Sequence, residues 1–260
     1  MVPTLTSFRQ ISKDVSASLR SVANDRMVQR ETAYYEAKIS DIKSIDDFMG
    51  DKRIYAYVLH AFGMDDVAPS KALVRKVLEG GIDDNKSLAN SLSDSRFRDL
   101  TETFNFARYG TATTSFTRTQ SGLLDRYMRA TLEQNAGQIN EGVRLALYFQ
   151  RKAPQITSIY QVLGDKALYK VVETALSLPS SLPAVGVEKQ ASIIAEKLDV
   201  SSLQDPVTLD KFIARFSNLW DLAQNTTGSS AALQLFQASS TSGISMDTLA
   251  SIQNLNVRKW

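Results

Sequence analysis

A chain of 260 residues is long enough for one large domain or two small ones, and 43% hydrophobic with 22% charged residues is the composition of a folded protein. Thirty Lys and Arg against 28 Asp and Glu leave a net charge of +2, with both signs interspersed, so there is no footprint for nucleic acid or an anionic membrane. No cysteine is present, which excludes disulfides, thiolate catalysis, iron-sulfur clusters and cysteine-zinc sites, and the single histidine, His60, excludes a two-histidine mechanism within one chain.

The N-terminal stretch from Met1 to Arg20 is polar and interrupted by Arg9, Lys13 and Asp14, so it lacks the apolar core of a secretory signal. No uninterrupted apolar run approaches the length of a membrane span. The expected location is the cytoplasm, or a route out other than general secretion. Within this stretch Leu5, Phe8, Ile11, Val15, Leu19 and Val22 recur at three and four residue steps and predict an amphipathic helix, placed over residues 1–29.

Next comes an internal match. YYEAKISDIKSIDDFMGDKRIYAYVLHAFGM, from Tyr34, aligns without a gap to YFQRKAPQITSIYQVLGDKALYKVVETALSL, from Tyr148. Identities include Tyr34/Tyr148, Lys38/Lys152, Ile42/Ile156, Ser44/Ser158, Gly50/Gly164, Asp51/Asp165, Lys52/Lys166, Tyr55/Tyr169, Val58/Val172 and Ala61/Ala175. Ser44 with Asp47, and Ser158 with Gln161, have capping-box spacing and each predicts a short helical turn. Gly50 and Gly164 end that turn, and Asp51 and Asp165 are placed to cap the helix that follows. The fold class predicted is therefore all-α, with two tandem copies of a multi-helix unit at 30–110 and 142–225.

Within the first copy, further helices are expected at Ser70–Glu79, stopped by Gly80 and Gly81, then at Ser87–Leu92 and Ser95–Phe106. Tyr109 to Gln120, YGTATTSFTRTQ, has turn composition and reads as the connection between units. A helical stretch from Leu123 to Lys152 leads into the second copy, so that 111–141 forms a loop and connecting helix. The second copy continues with Val187–Leu198, Ser201–Leu203 and Pro206–Leu222, where Asp205 before Pro206 is a start signal. After a Ser/Thr/Gly-rich break, Met246, Leu249, Ile252 and Leu255 give the tail, 226–260, a second apolar stripe. No strand-like alternation appears.

Chemistry is sparse in this pattern. His60 lies inside a repeated helix with no marked partner and reads as structural. The doublets Asp46/Asp47, Asp65/Asp66 and Asp83/Asp84 read as caps and solvated turns; Asp83, Asn85 and Ser87 alternate as in a calcium loop, but Leu88 and Asp94 replace its glycine and glutamate. Gly80/Gly81 lacks the lysine of a phosphate loop. No catalytic, cofactor-binding or metal-binding residue is assigned, and no cofactor is expected. The candidate interaction surface is the pair of terminal stripes: Leu5, Phe8, Ile11, Val15 and Leu19, and Met246, Leu249, Ile252 and Leu255.

The phrases SIDDFMGDKRIYAYVLHAFGM, KSLANSLSDSRFRDLTETFNF and ISMDTLASIQNLN resemble the domain-of-unknown-function family 1217, found mainly in alphaproteobacteria and often encoded among flagellar genes. The resemblance implies a flagellum-associated role and carries no catalytic residues. The expected function is a non-enzymatic helical interaction protein of flagellar structure or assembly, with protein partners and no nucleic acid or membrane insertion. A cytoplasmic chaperone or regulator of flagellar export is the nearest rival. From another class, a small-ligand protein or enzyme would have a pocket between the repeats near Arg53, Tyr55, Lys166 and Tyr169.

Overall fold

Side-chain caps mark most, though not all, helix starts in this chain. The computed structural model describes residues 2–239, with side chains through Gln224, and divides the chain into Met1–Leu219 and Trp220–Trp260. The described residues are all-α, with no strand and no helix long and apolar enough to cross a membrane. Met246, Leu249, Ile252 and Leu255 lie outside them.

The first unit begins with α1 (Thr4–Lys13), α2 (Val15–Ala23) and α3 (Arg26–Lys38). The single N-terminal helix expected over 1–29 is thus broken. Asp14 leaves helical geometry at φ −141° and its carboxylate accepts from the Ala17 amide at 2.8 Å, so a cap ends one helix and starts the next. Then follow α4 (Ile45–Gly50), α5 (Lys52–Ala61), α6 (Lys71–Gly80), α7 (Leu88–Ser91), α8 (Ser95–Thr103) and α9 (Phe106–Tyr109). Tyr35, Phe48, Ile54, Leu59, Leu78, Leu100 and Phe104 are fully buried in the core these elements share. Each such side chain contributes about 1.5–3 kcal/mol of transfer free energy.

Within the stretch Tyr109 to Gln120, expected as the connection between units, residues 110–115 and 117–119 fold as short 3-10 turns whose threonines reach into the core. Thr113, Thr114 and Thr119 are fully buried because each hydroxyl finds a backbone acceptor: Thr114 donates to the Ile42 carbonyl at 2.8 Å, and Thr119 to the Thr113 carbonyl at 3.0 Å. The Tyr35 hydroxyl in turn donates to the Thr119 carbonyl at 2.5 Å. Threonine here is an internal fastener.

The long stretch up to Lys152 is likewise two helices, α10 (Ser121–Ile139) and α11 (Glu141–Lys152). Asn140 breaks it by adopting extended geometry and accepting from the Gly142 amide at 2.9 Å. Because Gly137 lies against Arg144 and Glu133 pairs with Arg151, the two helices run antiparallel. They form the spine of the unit: α1 packs on α11, and α2 and α5 pack on α10.

Beyond them lie α12 (Ile159–Gly164), α13 (Lys166–Ala175), α14 (Val187–Ala195) and α15 (Pro206–Ser239), whose expected end at Leu222 is passed. Around α5 and α13 the same bonds occur at matching positions. Asp51 accepts from the Arg53 and Ile54 amides, and Asp165 from those of Ala167 and Leu168. The Tyr34 hydroxyl donates to Asp51 at 2.7 Å, as the Tyr148 hydroxyl does to Asp165 at 2.5 Å. Both helices end through a left-handed residue, Gly63 at φ 66° and Ser177 at φ 51°. Gly50 and Gly164, however, differ. A Cβ at Gly50 would meet nothing within 4 Å, whereas one at Gly164 would sit 1.8 Å from the Ser93 carbonyl oxygen.

Candidate functional site

Segments far apart in sequence converge at the C-terminal end of α11. Asp99, Glu102 and Thr103 of α8, Arg118 of the buried turn, Arg126 and Arg129 of α10, and Arg151, Lys152 and Gln155 line a cleft of about 590 Å³. Two ion pairs hold its walls. Arg151 donates from Nε and Nη2 to the two oxygens of Glu133, at 2.7 and 2.8 Å, and Lys152 reaches Asp99 at 2.7 Å. Burial pushes the Arg151 titration down, but the hydrogen bonds and charge of Glu133 outweigh it, so the net shift is upward and the guanidinium stays charged.

Arg118 is anchored by its stem. Its Nε donates to the Thr103 carbonyl at 3.2 Å, and the guanidinium lies 4.9 Å from the Tyr109 ring centroid and 4.6 Å from that of Phe116. Together with Arg108 it holds the Tyr109 phenol below its ordinary titration range. Its Nη2 is buried and makes no hydrogen bond of acceptable geometry among the described residues. Arg126 lies over Phe62 at 4.9 Å, and Arg129 is exposed. The arrangement can hold an anion.

His60, read as structural, bridges α5 and α10: Nδ1 faces the Asp65 carboxylate at 3.1 Å and Nε2 the Thr131 hydroxyl at 3.1 Å. The Thr131 hydroxyl also donates to the Tyr127 carbonyl at 2.9 Å, and its residue is buried. The acidic doublets are used as ion-pair partners, Asp46 with Arg75, Asp66 with Arg96 and Asp83 with Arg108. Of the N-terminal stripe, Phe8 is buried and Leu5, Ile11, Val15 and Leu19 are half-buried, in the helices that pack on α10 and α11.

Of the four polar residues expected at a pocket between the repeats, Arg53 and Tyr55 are engaged elsewhere. Arg53 pairs with Glu31 and covers the Tyr34 ring, and the Tyr55 hydroxyl donates to the Ala68 carbonyl. Tyr169 buries an unpartnered hydroxyl, and Lys166 is exposed. None of the four lines the cleft. Sequence reasoning passed over the cleft because its cations lie among acids along the chain. The one local hint was Arg126 and Arg129, three residues apart on a single helix face.

A family model described as "Protein of unknown function (DUF1217)" matches residues 61–209, a span that includes every cleft residue from Asp99 to Gln155. The chain belongs to this family. It is also similar to a protein from Agrobacterium tumefaciens with a crystal structure, at 45% sequence identity and a TM-score of 0.79, over 85% of this chain and 94% of that one. No curated protein matches. Membership of family 1217 therefore comes with a fold and without an assigned chemistry.

Proposed function

We propose that this member of family 1217 holds two tandem copies of one helical unit and works by binding proteins rather than by catalysis, in association with flagellar structure or assembly. The observation that carries the binding reading is how the matching residues are used. Tyr34 and Asp51, like Tyr148 and Asp165, spend their polar groups on each other and on helix amides. The polar groups that would suit catalysis do not match: His60 corresponds to Thr174, and Arg151 and Glu133 have no counterpart pair around α5. Shared residues thus serve the scaffold. Support for the flagellar context is the sequence resemblance alone.

The test is deletion of the gene. Loss or malformation of flagella, with impaired swimming, is the expected result; normal filaments and motility in every growth condition would overturn the flagellar part. Fractionation then separates an assembled component, recovered in basal bodies or medium, from a cytoplasmic export chaperone or regulator. Crosslinking in motile cells tests the binding part, and failure to capture any flagellar protein would count against it.

A further inference from the structure

The cleft between α8, α10 and the end of α11 holds positive charge that the fold leaves uncompensated. Arg151 is matched by Glu133 and Lys152 by Asp99. Arg118, Arg126 and Arg129 have no carboxylate within ion-pair distance among the described residues, and Arg118 also buries an Nη2 without an acceptor. Gathering like charges around one space costs free energy that a bound anion returns. We propose that this cleft is a binding site for a small soluble ligand carrying a diphosphate or triphosphate group, contacted by Arg118, Arg126 and Arg129.

The three guanidinium groups favour a polyvalent anion over a single carboxylate. One guanidinium fork satisfies one carboxylate, as Arg151 does for Glu133. Three forks need an anion with more acceptor oxygens and more than one charge, which a polyphosphate group supplies. A volume of about 590 Å³ accommodates a ligand larger than a lone phosphate ion, within the ordinary range of small-molecule sites. The chain's net charge of only +2 provides no extended field for a polymeric anion, so the attraction is confined to the cleft. Glu102, at the same wall, has no cationic partner among the described residues and is positioned to accept from a hydroxyl or amino group on the ligand's uncharged part.

The test is isothermal titration calorimetry of the full chain with sodium tripolyphosphate, compared with citrate at equal ionic strength. Saturable one-site binding is expected, with citrate at least about ten-fold weaker and affinity falling as salt rises. The double variant Arg126→Gln/Arg129→Gln should lose at least about ten-fold in affinity while its melting temperature without ligand falls by no more than about 4 °C, because both side chains are exposed, neither pairs with a carboxylate, and only the contact of Arg126 with the Phe62 ring is lost. Absence of saturation at millimolar ligand, equal binding of citrate, or full affinity in the double variant would each overturn the proposal. A phosphate carried by lipid is separated by co-sedimentation with phosphatidate vesicles: binding to vesicles without binding to tripolyphosphate would also overturn it. None of these readouts depends on a flagellar phenotype.

Discussion

Replacing Gly164 with alanine puts a methyl carbon 1.8 Å from the Ser93 carbonyl oxygen and 2.8 Å from its carbon. Non-bonded heavy atoms rest at roughly 3.5–4.0 Å, so the segment between α7 and α8 would have to retreat from α12 by roughly 1.5–2 Å. The obstructing atoms are backbone and cannot rotate away. Overpacking of this kind costs about 1–3 kcal/mol, and here the upper end applies. At Gly50, the matching position, the added methyl group meets nothing within 4 Å. There alanine's better helix propensity and the smaller entropy of its unfolded chain should stabilise by about 0.5–1 kcal/mol. At about 2–4 °C per kcal/mol for a chain of this size, Gly164→Ala should lower the thermal midpoint by roughly 5–10 °C and Gly50→Ala raise it by roughly 1–4 °C. Far-UV circular dichroism melts, supported by urea titrations with unchanged slopes, measure both. Equal responses at the two sites would refute the claim that the Ser93 contact distinguishes them.

Further perturbations probe separate features of the fold. Tyr148→Phe should cost about 1.5–3 kcal/mol in urea, because it strips a hydrogen bond from the buried Asp165 carboxylate, and Tyr34→Phe should cost less, because Asp51 is more exposed. Ser177→Gly should stabilise by about 1 kcal/mol, since Ser177 holds φ 51° where glycine bears no penalty; no gain in the melting temperature would contradict that geometry. Glu133→Gln should cost about 2–4 kcal/mol in chemical denaturation by leaving the largely buried Arg151 without its counter-charge, somewhat below a fully buried pair. Burial pushes Asp51 and Asp66 up, but the amides of Ile54 and Arg53 and the Tyr34 hydroxyl on the first, and Arg96 on the second, bring both below the ordinary carboxylate range. A carboxyl depressed in the folded state stabilises above its unfolded pKa of about 4 and loses that contribution as pH falls through the folded value. Burial raises the Tyr35, Tyr57 and Tyr148 phenols, whose contribution is present below about 10 and lost above it. Thermal midpoints should therefore form a plateau between about pH 5 and 9, and a steady decline across that window would refute these assignments.

What the sequence determined by itself is the class of fold and most helix starts. Asp51, Asp165 and Asp205, and Ser158 with Gln161, act on amides two or three residues away, so their roles are local and legible without knowing the neighbours. The apolar period of α5 and α13 is local in the same sense. Asp14 and Asn140 act as locally, yet each lies inside a stretch that reads as one continuous helix, where a cap and a solvent-facing polar residue look alike.

Only the tertiary structure decided the rest, because the deciding partners are remote in the chain. Threonines of turn composition became core residues at 113, 114 and 119 since carbonyls such as that of Ile42 were brought within reach of their hydroxyls. Two glycines in one sequence pattern parted company since one of them meets Ser93. The charge of the cleft arose the same way: acids offset the basic residues along the sequence, but packing pairs Arg151 and Lys152 with carboxylates and leaves Arg118, Arg126 and Arg129 around a common space.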